Sequence, residues 1–214
     1  MRALVLCLIA AAGAACGRTN AEGADKHVSV VDEKPVAVTG SAQEQEQARF
    51  DSERHPEKVV EALALRPGDR VADIGAGSGL LTIHLARAVS PNGRVVATDI
   101  DGTVLDLLAQ RLDAAGLGSL VDRRVVSADS PDLEPASYDA ILLAEVDHYF
   151  SDPAAWLRAA AGALKPSGRI VISNRVYHRA QTMAAAKKAG LVLKSESNPD
   201  SSRFIAVFVP EAKP

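Results

Sequence analysis

The chain has 214 residues, 47% of them hydrophobic and 24% charged, an ordinary globular composition. Lys and Arg number 24 against 27 Asp and Glu, a net charge of −3. No basic block stands out and aromatics are only 4%, so binding to a nucleic-acid backbone has no electrostatic footprint, the composition argues against a base-stacking platform, and no nucleic-acid partner is expected.

At the amino end Arg2 precedes an unbroken small and apolar run, Ala3–Ala15. That run is too short to span a bilayer as a helix and has the shape of a secretory core. It closes on Ala14-Ala15-Cys16-Gly17 and is similar to a bacterial lipoprotein signal, although Gly13 stands where a Leu or similar residue is usual. The resemblance implies that residues 1–16 are a signal, that Cys16 is lipidated, and that the protein sits in the bacterial cell envelope on a lipid anchor. Plain cleavage after Ala15 stays open, as does a cytoplasmic location should the leader be fortuitous. Cys7 lies in the run and would leave with it, so Cys16 would be the only cysteine of the mature chain. That excludes an internal disulfide and a Cys-based zinc site, and no metal site is expected. Residues 17–47 mix Gly, Glu, Asp, Lys, Thr and Gln and are predicted to be a tether. The folded domain is expected over 48–214, beginning near Phe50.

Pro56 suits a first helical turn, with Val59, Val60, Leu63 and Leu65 as the apolar side. Val71–Ile74 is a first strand, Leu80–Ala88 a helix, and Arg94–Thr98 a second strand. Val104–Ala115 carries apolar residues at three- and four-residue spacing and is helical. Arg124–Ser127 and Tyr138–Leu143 are the third and fourth strands, the latter apolar almost throughout, as suits a strand buried on both faces. Pro153–Leu164 is a helix stopped by Lys165-Pro166-Ser167-Gly168. Arg169–Ser173 is a fifth strand, and Arg179–Ala189 a helix ended by Gly190. Leu191–Ser195 and Arg203–Val209 read as a hairpin around Asn198-Pro199-Asp200. This alternation predicts a parallel sheet covered by helices.

The most informative stretch is Val71-Ala72-Asp73-Ile74-Gly75-Ala76-Gly77-Ser78-Gly79, with Asp99 twenty residues beyond Gly79 at the end of the second strand. Glycines allow a tight turn and close backbone approach to a ligand, and the free N–H groups of a following helix point at it. A dinucleotide fingerprint would place its third glycine at position 80, where this chain has Leu80. The pattern resembles the first cofactor motif of class I S-adenosylmethionine (SAM) methyltransferases, and the resemblance runs from about residue 50 to residue 210. It implies a three-layer α/β sandwich with a seven-stranded, mostly parallel sheet whose last strand is antiparallel, a Rossmann-like fold.

The resemblance also implies site residues. Asp73, Gly75, Ala76, Gly77 and Gly79 form the cofactor loop, with Asp73 toward the methionine ammonium. Asp99 takes the ribose, Ile100 packs on the adenine, Asp129 meets the adenine amino group, and Glu145 touches the methionine part. His148 is the candidate for taking a proton from the acceptor or orienting it, because its ordinary pKa lies near neutrality. Tyr177 and His178 are secondary candidates. The implied activity is methyl transfer from SAM to a small-molecule acceptor. The alternative is a non-catalytic envelope lipoprotein that uses the scaffold to bind a nucleoside-like ligand or a protein partner, since fold alone does not assign function. The sequence is silent on the acceptor and on oligomeric state.

Overall fold

A computed structural model describes residues 41–211. The signal, Cys16 and most of the expected tether lie outside the described residues. The elements in chain order are α1 (Ala42–Arg54), α2 (Pro56–Leu63), β1 (Arg70–Ile74), α3 (Thr82–Val89), β2 (Arg94–Asp99), α4 (Gly102–Ala114), β3 (Val121–Val125), β4 (Tyr138–Ala144), α5 (Pro153–Ala163), β5 (Leu164–Arg175), α6 (Arg179–Lys188), β6 (Leu191–Ser197) and β7 (Arg203–Pro210).

Among the described residues the strands form one seven-stranded sheet in the order β3-β2-β1-β4-β5-β7-β6. β1 pairs parallel with β2 and β4, β2 with β3, and β4 with β5, while β7 runs antiparallel to β5 and β6. The expected class I architecture, with its reversed last strand, is the observed one. The strand order reverses between β1 and β4, and in open α/β sheets ligands bind beyond the carboxyl ends of the strands at that switch point.

Side chains alternate across the sheet with the two-residue period of a strand. Ile141 and Leu143 of β4 join Ile170, Ile172, Trp156, Leu157 and Ala186 in a core under α5 and α6. Ala140 and Leu142 face the opposite way, against Val59, Leu63, Leu85 and Leu108 of α2, α3 and α4. Both faces of β4 are therefore dry, which explains its near-continuous apolar sequence.

Several boundaries differ from expectation for physical reasons. Residues 42–47, expected in the tether, are the first turns of α1. Ser41 accepts a hydrogen bond from Glu44 N–H, and Glu44 reaches back to Ser41 N–H, a capping box. α1 buries no residue, so the apolar periodicity that reveals most helices is missing from it. The segment Lys165-Pro166-Ser167-Gly168 does not stop a helix before a short strand; it is a bulge inside β5. Leu164 already pairs with Tyr138, and the register slips before Arg169 pairs with Ala140. β3 starts three residues earlier than expected because its pairing follows β2, from Val95↔Val121 to Asp99↔Val125. α3 begins at Thr82 rather than Leu80, since the turn around Gly79, at φ +85°, must finish before the helix can propagate.

Candidate active site

The turn after β1 is built on left-handed backbone. Gly75, Gly77 and Gly79 have φ of +68°, +54° and +85°, where a side chain strains the chain. They differ in what surrounds them. A Cβ on Gly75 would lie 2.4 Å from Val146 Cγ1, and one on Gly79 2.7 Å from Leu108 Cγ, whereas one on Gly77 would meet nothing within 4 Å. Gly75 and Gly79 are thus packed against β4's exit and α4, and Gly77 is the glycine that leaves open space. Gly77 N–H donates to Asp99 Oδ2 at 2.9 Å, and Ala76 N–H donates to Thr98 O at 2.9 Å. The turn is thereby stitched to the end of β2.

Beside it lies a cavity of about 240 Å³ lined by Ile74, Gly75, Thr98, Asp99, Ile100, Val146, Phe150 and Trp156 together with residues 126–128, 130 and 149. The lining is mostly apolar. Phe150 and Trp156 stack with centroids 4.4 Å apart. Two buried polar atoms of the lining residues, Thr98 Oγ1 and Trp156 Nε1, have no hydrogen-bond partner among the described residues. Buried polar atoms are rarely left so, and these two have no surface open to the cavity. The open glycine, the acid at the strand end and the apolar, aromatic lining fit a nucleoside.

The expected site residues fall in different places. Asp99, Ile100 and Gly75 line the cavity. Asp73 is 2% exposed and accepts a hydrogen bond from Thr82 Oγ1 at 2.7 Å, so it underlies the turn and is not a cavity wall. Burial, only partly offset by the Thr82 hydroxyl, pushes its carboxyl up to about 6. Asp129 is turned out to solvent, where it accepts from both Ser151 N–H and Ser151 Oγ at 2.8 Å. Those bonds, led by the backbone one, hold it below the usual carboxylate range. Its neighbours Ala128 and Ser130 face the cavity in its stead. Glu145, at φ +57°, is engaged by arginines at the sheet edge: Arg54 at 3.0 Å, Arg175 at 3.3 Å and Arg203 at 3.3 Å.

His148 lies on the short 3-10 turn after β4 and stacks on His178 with centroids 4.0 Å apart. Its Nδ1 is 3.0 Å from Asn174 Nδ2. The amide's other bonds settle its orientation: Asn174 Oδ1 accepts from Arg175 N–H at 2.7 Å, and Nδ2 also donates to Asp147 Oδ1 at 2.6 Å. His148 Nδ1 is therefore the acceptor, and in the neutral ring the proton is on Nε2. Burial, with His178 adding to it against the pull of Asp147 and Glu145, lowers the His148 pKa. At neutral pH His148 presents an N–H. It suits orienting an acceptor atom better than taking its proton.

Two parts of this arrangement carried no local sequence signal. Asp147, 3% exposed, accepts from both Asn174 and Thr182 Oγ1 and so anchors the amide that fixes His148. Arg111 of α4, 6% exposed, donates to Ser78 O at 3.0 Å, Gln47 Oε1 at 3.2 Å, Gln43 O at 3.4 Å and Glu46 Oε2 at 2.6 Å. It ties α1 to the glycine turn, and Gln47 and Asp51 add bonds to Leu80 O and His84 at 2.9 and 2.8 Å.

Sheet order and glycine turn are those of the Rossmann-like class I methyltransferase fold. Residues 72–170 match a family model described as a methyltransferase domain. A ubiquinone biosynthesis O-methyltransferase of Xanthomonas campestris pv. campestris is 38% identical over 120 residues, which are 53% of this chain and 46% of the relative. A ubiquinone/menaquinone biosynthesis C-methyltransferase of Teredinibacter turnerae is 33% identical over 114 residues, again 53% of this chain and 46% of the relative. The chain spans about half the length of the curated relatives it matches. Among solved structures, a SAM-dependent methyltransferase from Aquifex aeolicus superposes with a TM-score of 0.67 at 20% identity, covering 77% of this chain and 96% of that one.

Proposed function

We propose that this protein is a SAM-dependent methyltransferase acting on a small-molecule acceptor. The observation that carries the proposal is the glycine turn, in which Gly77 N–H bonds Asp99 and leaves open space while Gly75 and Asp99 line an apolar cavity. Bound there, SAM would supply a sulfonium-activated methyl group, and the protein supplies binding, orientation and electrostatics. Asp99 would take the ribose hydroxyls in place of, or beside, its bond to Gly77. Phe150, Trp156 and Ile100 would enclose the base. His148 Nε2–H would hold the acceptor atom, and an acceptor that is already ionised needs no base. The relatives named for ubiquinone biosynthesis support a small organic acceptor. One name specifies an O-methyltransferase and the other a C-methyltransferase, so they favour neither atom.

Calorimetric titration of the purified protein with SAM and S-adenosylhomocysteine tests this reading. Saturable binding of both in the micromolar range is expected. A folded protein that binds neither is not this enzyme. We also propose export and lipidation at Cys16, supported by Arg2, the Ala3–Ala15 run and Cys16. Partition of the expressed protein into the detergent phase, lost in Cys16→Ser, is the expected result. Equal partition of the two proteins removes the anchor.

A further inference from the structure

Next to the cofactor cavity, the carboxyl edge of the sheet carries a concentration of positive charge. Arg175 closes β5 and Arg203 opens β7, and because β7 runs antiparallel the two sit side by side in register. Arg54 reaches in from the last turn of α1. All three guanidinium groups converge on a single oxygen, Glu145 Oε1, at 3.0 to 3.3 Å. Asp200 shares Arg203 at 3.0 Å. Three cations and two carboxylates leave one positive charge in excess. Burial holds the Arg54 guanidinium below its ordinary value; Glu145 pulls the other way, and Arg203 and Arg175 add smaller pushes downward. Glu145 meanwhile occupies left-handed backbone, a conformation that costs an L-residue energy, so the chain is strained where it delivers a carboxylate to the cluster.

Alongside stands a run of rings. Tyr149, His148, His178 and Tyr177 follow one another with centroids 4.1, 4.0 and 4.3 Å apart, and both tyrosines are exposed. Asn174 joins the two features, since it bonds His148 through its side chain and immediately precedes Arg175.

We propose that Arg54, Arg175 and Arg203 bind the carboxylate of the methyl acceptor, whose aromatic ring packs on the Tyr149–His148–His178–Tyr177 run. This rests on the methyltransferase reading and narrows its acceptor to an aromatic carboxylate. The ligand chemistry follows from the cluster's resting occupant: Glu145 already presents a carboxylate oxygen there, and a guanidinium fork matches a carboxylate edge-on. The Arg175 side chain, 40% exposed, is the open side of the cluster. Arg54 belongs to α1, so an acceptor held by the cluster also pins the end of the helix that lies over the glycine turn.

The test uses 4-hydroxybenzoate and its uncharged analogue 4-hydroxybenzamide, titrated into the full chain with and without S-adenosylhomocysteine. The carboxylate should bind at least tenfold more tightly than the amide. Arg175→Gln should erase that preference while affinity for S-adenosylhomocysteine stays within twofold, which also certifies that the variant is folded. Glu145→Gln, which removes the internal competitor, should tighten 4-hydroxybenzoate. Equal binding of the two probes, binding of neither, or a preference that survives Arg175→Gln overturns the proposal. The two readings separate cleanly. Carboxylate preference without S-adenosylhomocysteine binding keeps the anion site and sinks the methyltransferase, and the reverse keeps the enzyme and sinks the site.

Discussion

Arg111 is the residue whose removal says most about how α1 is held to the glycine turn. α1 buries none of its residues, so burial contributes little to its docking, and polar contacts hold it over the glycine turn. Arg111 supplies three of them, to Gln43 O, Gln47 Oε1 and Glu46 Oε2. The two bonds from the guanidinium to uncharged oxygens are long, at 3.4 and 3.2 Å, and contribute about 1 kcal/mol each. The ion pair adds at most about 1 kcal/mol, because the Glu46 side chain is 44% exposed. Arg111→Met keeps the aliphatic volume and removes all three, so α1 docking should weaken by about 2–3 kcal/mol. At about 1.4 kcal/mol per factor of ten, the amides of residues 42–54 should exchange roughly 30- to 150-fold faster with deuterium. Core strands β1 and β4 should be little affected, since opening a helix at the edge leaves the sheet intact. Hydrogen exchange followed by mass spectrometry reads both segments in one experiment. Protection of 42–54 within twofold of the unmodified protein, in a variant that remains folded, would refute the claim that Arg111 holds the helix.

Gly75→Ala should destabilise the protein more than Gly77→Ala in urea unfolding. The first adds a 2.4 Å clash with Val146 to left-handed strain, while the second adds the strain alone, roughly 1–2 kcal/mol; the opposite order would contradict the packing described for Gly75. Asp73, pushed up to about 6 in the fold, contributes stability that is fully present below about pH 4 and is lost as pH rises through about 6. Asp73→Asn should therefore gain on the unmodified protein by about 2 kcal/mol between pH 4 and pH 7, and parallel stability curves would show that Asp73 ionises without penalty. Asp99→Asn should weaken SAM binding by about 1–3 kcal/mol, the loss of a charge-assisted hydrogen bond, and an unchanged calorimetric affinity would remove Asp99 from the site. Nitrogen-15 NMR of the imidazoles should find His148 as the Nε2–H tautomer, with that preference lost in Asn174→Ala; an Nδ1–H form in the unmodified protein would reverse its assigned role.

The sheet and the glycine turn were legible because their requirements are local. A run such as Tyr138–Ala144 must be apolar on both faces to lie in mid-sheet, and the turn after β1 needs glycine at three positions because only glycine takes positive φ freely. What was not legible depends on partners far along the chain. The Lys165–Gly168 stretch has every mark of a break, yet Leu164 is already held by Tyr138 across the sheet, and pairing overrides local preference. α1 hides from hydrophobic periodicity because it buries nothing; the Ser41 and Glu44 capping box was the signal that would have found it. Asp129 was assigned to the cavity by its position after β3, but Ser151, twenty-two residues on, captures its carboxylate and turns it outward.

The role of His148 follows the same logic. A histidine after β4 can be recognised from sequence, but whether it gives or takes a proton is set by the atom facing its Nδ1. That atom is the nitrogen of Asn174, on the neighbouring strand, whose amide is locked between Asp147 and the Arg175 backbone. Had the amide pointed its oxygen at the ring, Nδ1 would carry the proton and Nε2 would be a base. The chemistry available at this edge of the sheet is thus decided by a hydrogen-bond chain from β5 through Asn174 to the imidazole. Thr182 of α6 closes the far end of that chain on Asp147, so a substitution at Thr182, remote from any ligand, acts on the same imidazole through two intervening side chains.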